Sequence, residues 1–168
     1  SAEQHRRFFM KYTKESAHEF GVECAPYVAG GPATLRAIET VYKHAGSPGC
    51  VGAGDGVRIP YSNAAYGEKG WYAGKEGYPT IGYRLICDHH RRVLTCPWGY
   101  PGPFNDINIA NLDNALANIH SLPNFTDFPF EAYTGSQKET AATRGAYLIV
   151  DGGYAPWREL QCPALAPT

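Results

Sequence analysis

Residues 50–59 constrain the fold more than any other stretch, because they have the composition of a buried strand yet carry one acid, Asp55, among glycines. A carboxylate inside a sheet costs free energy unless it is paired, hydrogen-bonded or bound to a metal ion. Gly54 and Gly56 leave room beside it for a ligand or for another segment of backbone. A Gly-Asp-Gly turn between two strands would explain the same residues without any function. The stretch alone leaves both interpretations open.

A second acid follows another apolar run far along the chain. Residues 146–150 are continuously apolar, which is typical of a strand covered on both faces, and they lead into Asp151 and two glycines. If this strand lies parallel to the Asp55 strand and beside it, after a right-handed crossover, the two carboxylates approach each other. Carboxylates that close repel unless a proton or a divalent cation lies between them. Oxygen ligands favour Mg²⁺ or Mn²⁺ over zinc.

The remaining patterns predict an α/β fold built on a mixed sheet with helices packed on it. Strands are predicted over about 51–59, 80–87, 93–98 and 146–150, and helices over about 4–20, 32–45 and 106–119. Residues 61–78 are too rich in glycine for a helix and predict a long functional loop. Residues 123–144 are polar and aperiodic and predict an insertion rather than a core element. We therefore divide the chain into an N-terminal helical segment, 1–46, and one domain over 47–168 with an insertion at about 120–145.

Several polar residues near the predicted turns have ordinary structural explanations. Asn105 and Asp106 supply the side-chain oxygens that cap a helix start, so capping alone could explain Asp106. His89 and His90 could bind a metal ion, but neighbouring side chains in a turn usually point apart. We therefore interpret the segment around these histidines as a hairpin turn.

Composition excludes several classes of protein. The 15 Lys and Arg residues against 16 Asp and Glu give a net charge of −1, so no global basic field attracts nucleic acid and any such contact must be local. The five cysteines are dispersed and never spaced Cys-x-x-Cys, which argues against a disulfide framework and a zinc knuckle and favours a reducing, intracellular environment. No apolar run is long enough to span a membrane, and we expect no membrane partner. Because the chain starts at Ser1 and stops at Thr168 without a closing element, we expect a fragment.

Four short blocks, in this order, carry a resemblance to a known family. They are PGCVGAGD at 48–55, GKEGYPT at 74–80, YPGPFND at 100–106 and YLIVDGGY at 147–154. Together they resemble the catalytic domain of Harbinger-type transposases, which are plant transposon proteins of the DDE superfamily, over about residues 35–163. Each block alone is a weak signal, but four in order with sensible gaps are fairly specific.

The resemblance implies an RNase H-like fold in which acidic residues hold two divalent metal ions, Mg²⁺ or Mn²⁺. By motif position Asp55 matches the first acid, Asp151 the second and Asp106 a supporting acidic position, and we hypothesise that Asp55 bridges both ions. The family's third acid is a glutamate on a helix well past the last block, and Glu159 follows Asp151 too soon to match it. The resemblance therefore implies a catalytic domain that is incomplete at its C-terminus.

The chemistry implied is attack on a DNA phosphodiester by water and then by a freed 3′-hydroxyl. One metal ion would activate the nucleophile while the other stabilises the leaving oxygen. The implied partners are transposon ends in the nucleus, with a separate DNA-binding subunit and a homo-oligomer left open. Phosphate contacts could come from Lys69, Lys75, Arg91 and Arg92, although a solvated surface explains each of them equally well.

Two other interpretations stay open from the sequence. One is a transposase-derived domain that binds DNA or a protein partner and has lost cleavage, which the near-neutral charge and the missing glutamate favour. The retained Asp55 and Asp151 oppose it. The other is an unrelated hydrolase or a purely structural α/β domain.

Overall fold

The computed structural model describes residues 31–96, 99–113 and 121–154 without a break, and residues 3–5, 7–8, 11–12, 14–15, 116, 119 and 160–162 outside those ranges. Within the predicted basic helix over 4–20, the described residues are helical, and the rest of that prediction lies outside the described residues. No described helix has both the length and the apolar character needed to cross a membrane. The four cysteines that the structure describes form no disulfide.

The described ranges contain one long helix, three short helices and eight strands. The helices are α1 (Gly31–His44), α2 (Lys69–Tyr72), α3 (Asp106–Leu112) and α4 (Pro123–Thr126). The strands are β1 (Cys50–Pro60), β2 (Thr80–Cys87), β3 (Val93–Thr95), β4 (Tyr100–Pro101), β5 (Pro129–Thr134), β6 (Ser136–Arg144), β7 (Tyr147–Ile149) and β8 (Leu160–Gln161). The predicted loop over 61–78 therefore contains α2, preceded by a 3₁₀ turn at Tyr66–Glu68, which corrects the expectation that it holds no helix.

The main sheet is mixed, as predicted. Its strand order is β3-β2-β1-β7-β8, with the short β4 pairing with β2 as well. β1, β2 and β3 pair antiparallel, whereas β7 lies parallel to β1 on its other side and β8 lies parallel to β7. The predicted placement of the second acid-bearing strand beside the first is thus confirmed. The predicted strand over 93–98 ends at Thr95, and residues 97 and 98 lie outside the described residues.

The core lies where α1, the sheet and the segments after α3 meet. Val51 of β1, Ile86 of β2 and Leu148 of β7 are fully buried there, together with Leu35 of α1. On β2, burial alternates residue by residue from Thr80 to Cys87, as the period of a strand requires when one face packs on the core. The alternation that predicted this strand therefore also indicates that one of its faces packs on the core.

Two phenylalanines correct the expectation that residues 123–144 contribute nothing to the core. Phe125 in α4 and Phe128 just after it are 0% and 3% exposed and belong to the main apolar cluster. Beyond them, β5 and β6 form a separate two-stranded sheet. The segment has no helical or strand period because one turn of helix buries both rings before the hairpin begins.

The helix predicted over 106–119 is interrupted. α3 ends at Leu112, and Asp113 has an extended backbone with φ −82° and ψ 103°. The Asp113 carboxylate pairs with Arg84 of β2 and accepts a hydrogen bond from the Leu116 N–H at 3.4 Å. The apolar stripe runs through the break because both helical pieces pack on the same core, so periodicity alone could not locate it.

Candidate active site: three carboxylates around Tyr154

The register between β1 and β7 aligns two of the predicted acids. Ala53 pairs with Ile149 in the parallel ladder. Asp55 and Asp151 each come two residues after this pair, one after β1 residue Ala53 and the other after β7 residue Ile149. Neighbouring strands of a sheet lie about 4.8 Å apart. Asp151 is no longer in a strand, because it opens a turn in which its Oδ1 accepts a hydrogen bond from the Gly153 N–H at 3.0 Å. Asp55 and Asp151 thus lie at the same end of the β1–β7 pair, and the approach of their carboxylates stays a prediction.

Asp106 at the start of α3 joins them. The helix cap is provided by Asn105, whose Oδ1 accepts a hydrogen bond from the Asn108 N–H at 2.8 Å. The Asp106 carboxylate instead lies against Gly56 of β1, since a methyl group added to Gly56 would lie 2.6 Å from Asp106 Oδ1. Helix capping therefore explains Asn105 and leaves Asp106 for another role.

A small space beside Gly153 is shared by two carboxylates. A methyl group added to Gly153 would lie 3.2 Å from Asp151 Oδ1 and 3.3 Å from Asp106 Oδ2. Any side chain at Gly153 would crowd both carboxylates, and one at Gly56 would displace Asp106. The two glycines keep this space open between the end of β7 and the start of α3.

The Tyr154 hydroxyl lies next to these acids. Its residue is only 5% exposed, and its hydroxyl oxygen has no hydrogen-bond partner among the described residues. Burial raises the pKa of Tyr154 above its ordinary value, and the nearby Asp106, Asp55 and Asp151 carboxylates raise it further, against a smaller opposing effect of Arg84. All three acids are therefore close enough to influence one buried hydroxyl.

Tyr154 is a residue that the sequence analysis missed as part of the site. The block ending in Asp-Gly-Gly-Tyr was quoted there for the acid alone. The available signal was the spacing, because a tight Asp-Gly-Gly turn brings a side chain three residues later back towards the carboxylate. A tyrosine buried at that position needs a hydrogen-bond partner, which would have indicated a ligand.

The three carboxylates have little internal compensation. Asp55 Oδ1 accepts a hydrogen bond from its neighbour, the Gly56 N–H, at 2.7 Å. Within the described part of the chain, no Lys, Arg or His forms a salt bridge with Asp55, Asp106 or Asp151. Each of the three acids therefore lacks a counter-charge among the described residues.

The arrangement does not form a ready-made metal cage. No three His, Cys, Asp or Glu side chains in the described ranges are grouped closely enough to hold an ion together. Asp55 is exposed, and because successive strand residues point to opposite faces, its Cβ leaves β1 on the side away from Gly56 and Asp106. Asp106 and Asp151 therefore share the space beside Gly153, and the predicted pairing of Asp55 with Asp151 stays a prediction.

The four basic residues predicted to contact DNA lie in two separate places. Lys69 in α2 and Lys75 in the following loop are exposed and precede β2, whereas Arg91 and Arg92 lie in the turn after β2. Arg92 forms a salt bridge with Asp88, with its Nη2 2.9 Å from Asp88 Oδ2. The strand separates the two pairs, so they do not form one basic patch.

The histidine pair departs from expectation in its geometry. The ring centroids of His89 and His90 lie 4.0 Å apart with the planes tilted by 45°, so the two side chains do not point apart. The His89 ring also meets the Tyr42 ring edge-on, at 6.2 Å between centroids. The turn itself is held by Asp88, whose Oδ1 accepts hydrogen bonds from the N–H groups of His90 and Arg92 at 2.9 Å. The predicted hairpin turn is confirmed.

Comparison with known proteins gives one match. A family model described as plant transposon protein matches residues 27–163, which is most of the chain. No curated protein and no solved structure matches the chain significantly. All three acids, Tyr154 and the glycines beside them lie inside the matched range.

Proposed function

This chain belongs to the plant transposon protein family, and we propose that it is the catalytic part of a DDE-type, Harbinger-like transposase that cleaves and joins DNA phosphodiester bonds with divalent metal ions. The observation that carries the proposal is the space beside Gly153 that the Asp106 and Asp151 carboxylates share, next to the unpartnered Tyr154 hydroxyl. None of the three acids forms a salt bridge with a described basic residue, which leaves their charges available to a cation.

The sheet supports an RNase H-like fold for this domain. Three antiparallel strands, β1 to β3, are followed by α3 and then by β7, which returns parallel to β1 on its other side. That order is the one expected of an RNase H-like sheet, in which acids at β1 and just past the returning strand share one edge. Asp55 and Asp151 have these positions.

The residues present fit a hard divalent cation such as Mg²⁺ or Mn²⁺. Asp106 and Asp151 would hold it, because their oxygens face the same space beside Gly153. Mg²⁺ commonly binds through one or two carboxylates and completes its shell with water and phosphate oxygens, so a three-residue cage is not required. When bound, such ions activate a water or hydroxyl nucleophile and stabilise the leaving oxygen.

The protein's own groups would orient the DNA strand. The raised pKa of Tyr154 keeps its hydroxyl protonated at neutral pH, so it can donate a hydrogen bond to an oxygen of a bound phosphate or water. Gly56 and Gly153 leave the approach open. Asp55, level with Asp151 but on the other face of β1, would reach the site from the opposite side.

The wider proposal concerns partners and location. We propose transposon ends as the DNA, with Lys69 and Lys75 contacting phosphates on the strand that enters the site. Arg91 would add a contact only for DNA that extends past the other end of β2. Action on chromosomal DNA implies the nucleus, and a separate DNA-binding subunit or a second copy of the chain could supply the recognition of the ends.

Metal-dependent thermal stability tests the carboxylate site directly. We expect Mg²⁺ or Mn²⁺ to raise the melting temperature of the wild-type chain, because a cation that binds only the folded state stabilises it. Asp106→Asn and Asp151→Asn should lose this increase, and Asp55→Asn should reduce it. Asp127→Asn, an exposed acid remote from the site, is the matched control.

Two outcomes would overturn the proposal. One is an equal metal-induced increase in all four variants, which would place the cation elsewhere. The other is metal-dependent nicking of supercoiled DNA that survives both Asp106→Asn and Asp151→Asn.

The absence of a ready-made cage gives a second candidate function, a transposase-derived DNA-binding domain without cleavage. That candidate predicts DNA binding with no metal-induced change in melting.

A further inference from the structure

An apolar cavity lies beside the loop that leads into Asp106. It has a volume of about 520 Å³ and is lined by Gly67, Gly70, Trp71, Pro101, Pro103 and Phe104. Ligand cavities in proteins fall in this size range. Trp71 is 76% exposed, and Tyr66 on the same short segment is 93% exposed. Large aromatic side chains left in water beside a cavity mark a binding surface.

The two walls of the cavity are fixed to each other. A methyl group added to Gly74 would collide with the Gly102 carbonyl, and one added to Gly102 would collide with the Tyr72 carbonyl. The Tyr72 ring also packs edge-on against Tyr61, at 5.1 Å between centroids. The segment that carries Trp71 is therefore held against the loop that carries Phe104, so the cavity exists before any ligand binds.

Arg58 of β1 joins both walls and relates the cavity to the acids. Its Nη2 donates a hydrogen bond to the Phe104 carbonyl at 2.9 Å, and its Nε lies 3.6 Å from Glu76 Oε1 in the loop that follows α2. Arg58 and Gly56 are two residues apart on the same face of β1, which is about 7 Å along the strand. Because Asp106 abuts Gly56, the hydrogen bonds of Arg58 connect the cavity walls to the strand beside the carboxylates.

We propose that this cavity binds an unpaired DNA base, close to the phosphodiester at the carboxylates, by stacking the base on Trp71. Aromatic side chains stack on any base because every base has a π-face. Lys69 and Lys75, on the same segment, are exposed and form no salt bridge with a residue that the structure describes, so both can neutralise the adjoining phosphates. These lysines favour a nucleic acid over a proline-rich peptide, which aromatic and proline walls also fit. The identity of the strand as substrate rests on the proposed function.

The test measures binding of a short single-stranded oligonucleotide, in the presence of Mg²⁺, to wild type and three variants. Trp71→Ala should weaken binding by about 5- to 150-fold, the range found when one base-stacking aromatic is removed. Trp71→Phe should retain most of the affinity, because a phenyl ring still stacks. Tyr133→Ala is the matched control, since Tyr133 is an exposed aromatic on β5, away from the cavity.

An oligonucleotide with one abasic position identifies the contact as stacking. Among a set with the gap moved along the strand, one position should weaken wild-type binding by about the factor lost in Trp71→Ala, and the two losses should not add, because both remove the same contact. Unchanged binding by Trp71→Ala, or fully additive losses, would overturn the proposal. So would equal or tighter binding of a proline-rich peptide that Trp71→Ala abolishes while DNA binding persists.

The outcome is separable from that of the carboxylate site. Trp71→Ala should show the wild-type increase in melting temperature with Mg²⁺, because Trp71 touches none of the three acids. If the asparagine variants fail to change that increase while Trp71→Ala still loses DNA, the base-binding cavity stands and the catalytic proposal falls. If the asparagine variants lose the metal-induced increase while Trp71→Ala binds DNA like wild type, the carboxylate site stands and the base-binding proposal falls.

Discussion

Two neighbouring groups of charged residues differ in whether their charges are paired. Arg84 and Asp113 form an ion pair whose side chains are 1% and 0% exposed. Arg84 pairs across the ladder with Gly56, the residue against which Asp106 rests, so the ion pair and the carboxylate group are neighbours. Asp55 and Asp151 are exposed and share no counter-charge with the described residues.

The difference separates charges that are paired inside the fold from charges that have no basic partner among the described residues. Burial lowers the pKa of Arg84, and Asp113 provides the counter-charge that the buried guanidinium requires. Asp55, Asp106 and Asp151 instead form no salt bridge with a described basic residue, and a bound cation would supply a counter-charge. If this comparison is right, the two groups must respond in opposite directions to the loss of one member.

The largest effect is expected at the ion pair. Arg84→Ala should lower the free energy of unfolding by about 3–5 kcal/mol, because it leaves the Asp113 carboxylate buried without a partner. Urea denaturation of the variant and the wild type measures this. The double variant Arg84→Met/Asp113→Leu should recover most of the loss, since it removes both charges together. A single variant as stable as wild type would show that the pair is not buried as described.

A second carboxylate offers an intermediate case. Asp88 is 4% exposed; burial would raise its pKa, but hydrogen bonds from Arg92 and His90 outweigh burial and hold the pKa below its ordinary value. Asp88→Asn should cost about 1.5–3 kcal/mol near neutral pH, the usual contribution of hydrogen bonds to a charged group.

The sign of the pH dependence follows from the lowered pKa of Asp88. Its stabilisation is present above the unfolded-state pKa of about 3.9 and is lost as the pH falls through the lower folded-state value. The difference between wild type and Asp88→Asn should therefore shrink in urea denaturation below about pH 4. Asp127→Asn is the control, because Asp127 is exposed. A difference that stays constant with pH would contradict the assignment.

A smaller change in the free energy of unfolding, a gain rather than a loss, is expected when Asp106 or Asp151 is neutralised. Without divalent cations, Asp106→Asn or Asp151→Asn should leave stability unchanged or raise it by up to about 1 kcal/mol, because each removes a repulsion between charges near the surface. Urea denaturation in the presence of a chelator measures this. A loss of more than about 1 kcal/mol would mean that these acids are compensated, like Asp88, and are structural.

The smallest effect concerns salt. Raising the ionic strength to about 1 M shortens the screening length to about 3 Å, so any gain from Asp151→Asn should fall to a few tenths of a kcal/mol. The loss in Arg84→Ala should persist, because a buried pair is screened far less. Equal sensitivity of the two variants to salt would remove the distinction between the groups.

Much of the fold followed from local patterns. The helix around Leu35 and the strand over 80–87 were predicted with nearly the observed bounds, because their apolar residues repeat with the period of the element and their ends carry glycine or turn residues. The parallel return of the strand before Asp151 was also predicted, since a continuously apolar run needs cover on both faces.

The errors lie where burial or pairing depends on distant residues. Asp113 breaks the predicted helix because Arg84, 29 residues away along the chain, needs its carboxylate. Phe125 and Phe128 enter the core from a segment without any period. Asp106 and Asp151 share the space beside Gly153, a relation that motif order does not contain.

The sequence by itself determined which elements form and that two acids would follow buried strands, because side-chain periodicity and glycine placement act over a few residues. Only the tertiary structure decided which acids are neutralised and which are left exposed to a ligand. Arg84 forms a salt bridge with Asp113, and Arg92 forms one with Asp88. No basic side chain among the described residues forms one with the carboxylates near Tyr154. Electrostatic compensation depends on distance in space, and the same acidic residue type therefore has a basic partner at one position and none among the described residues at another.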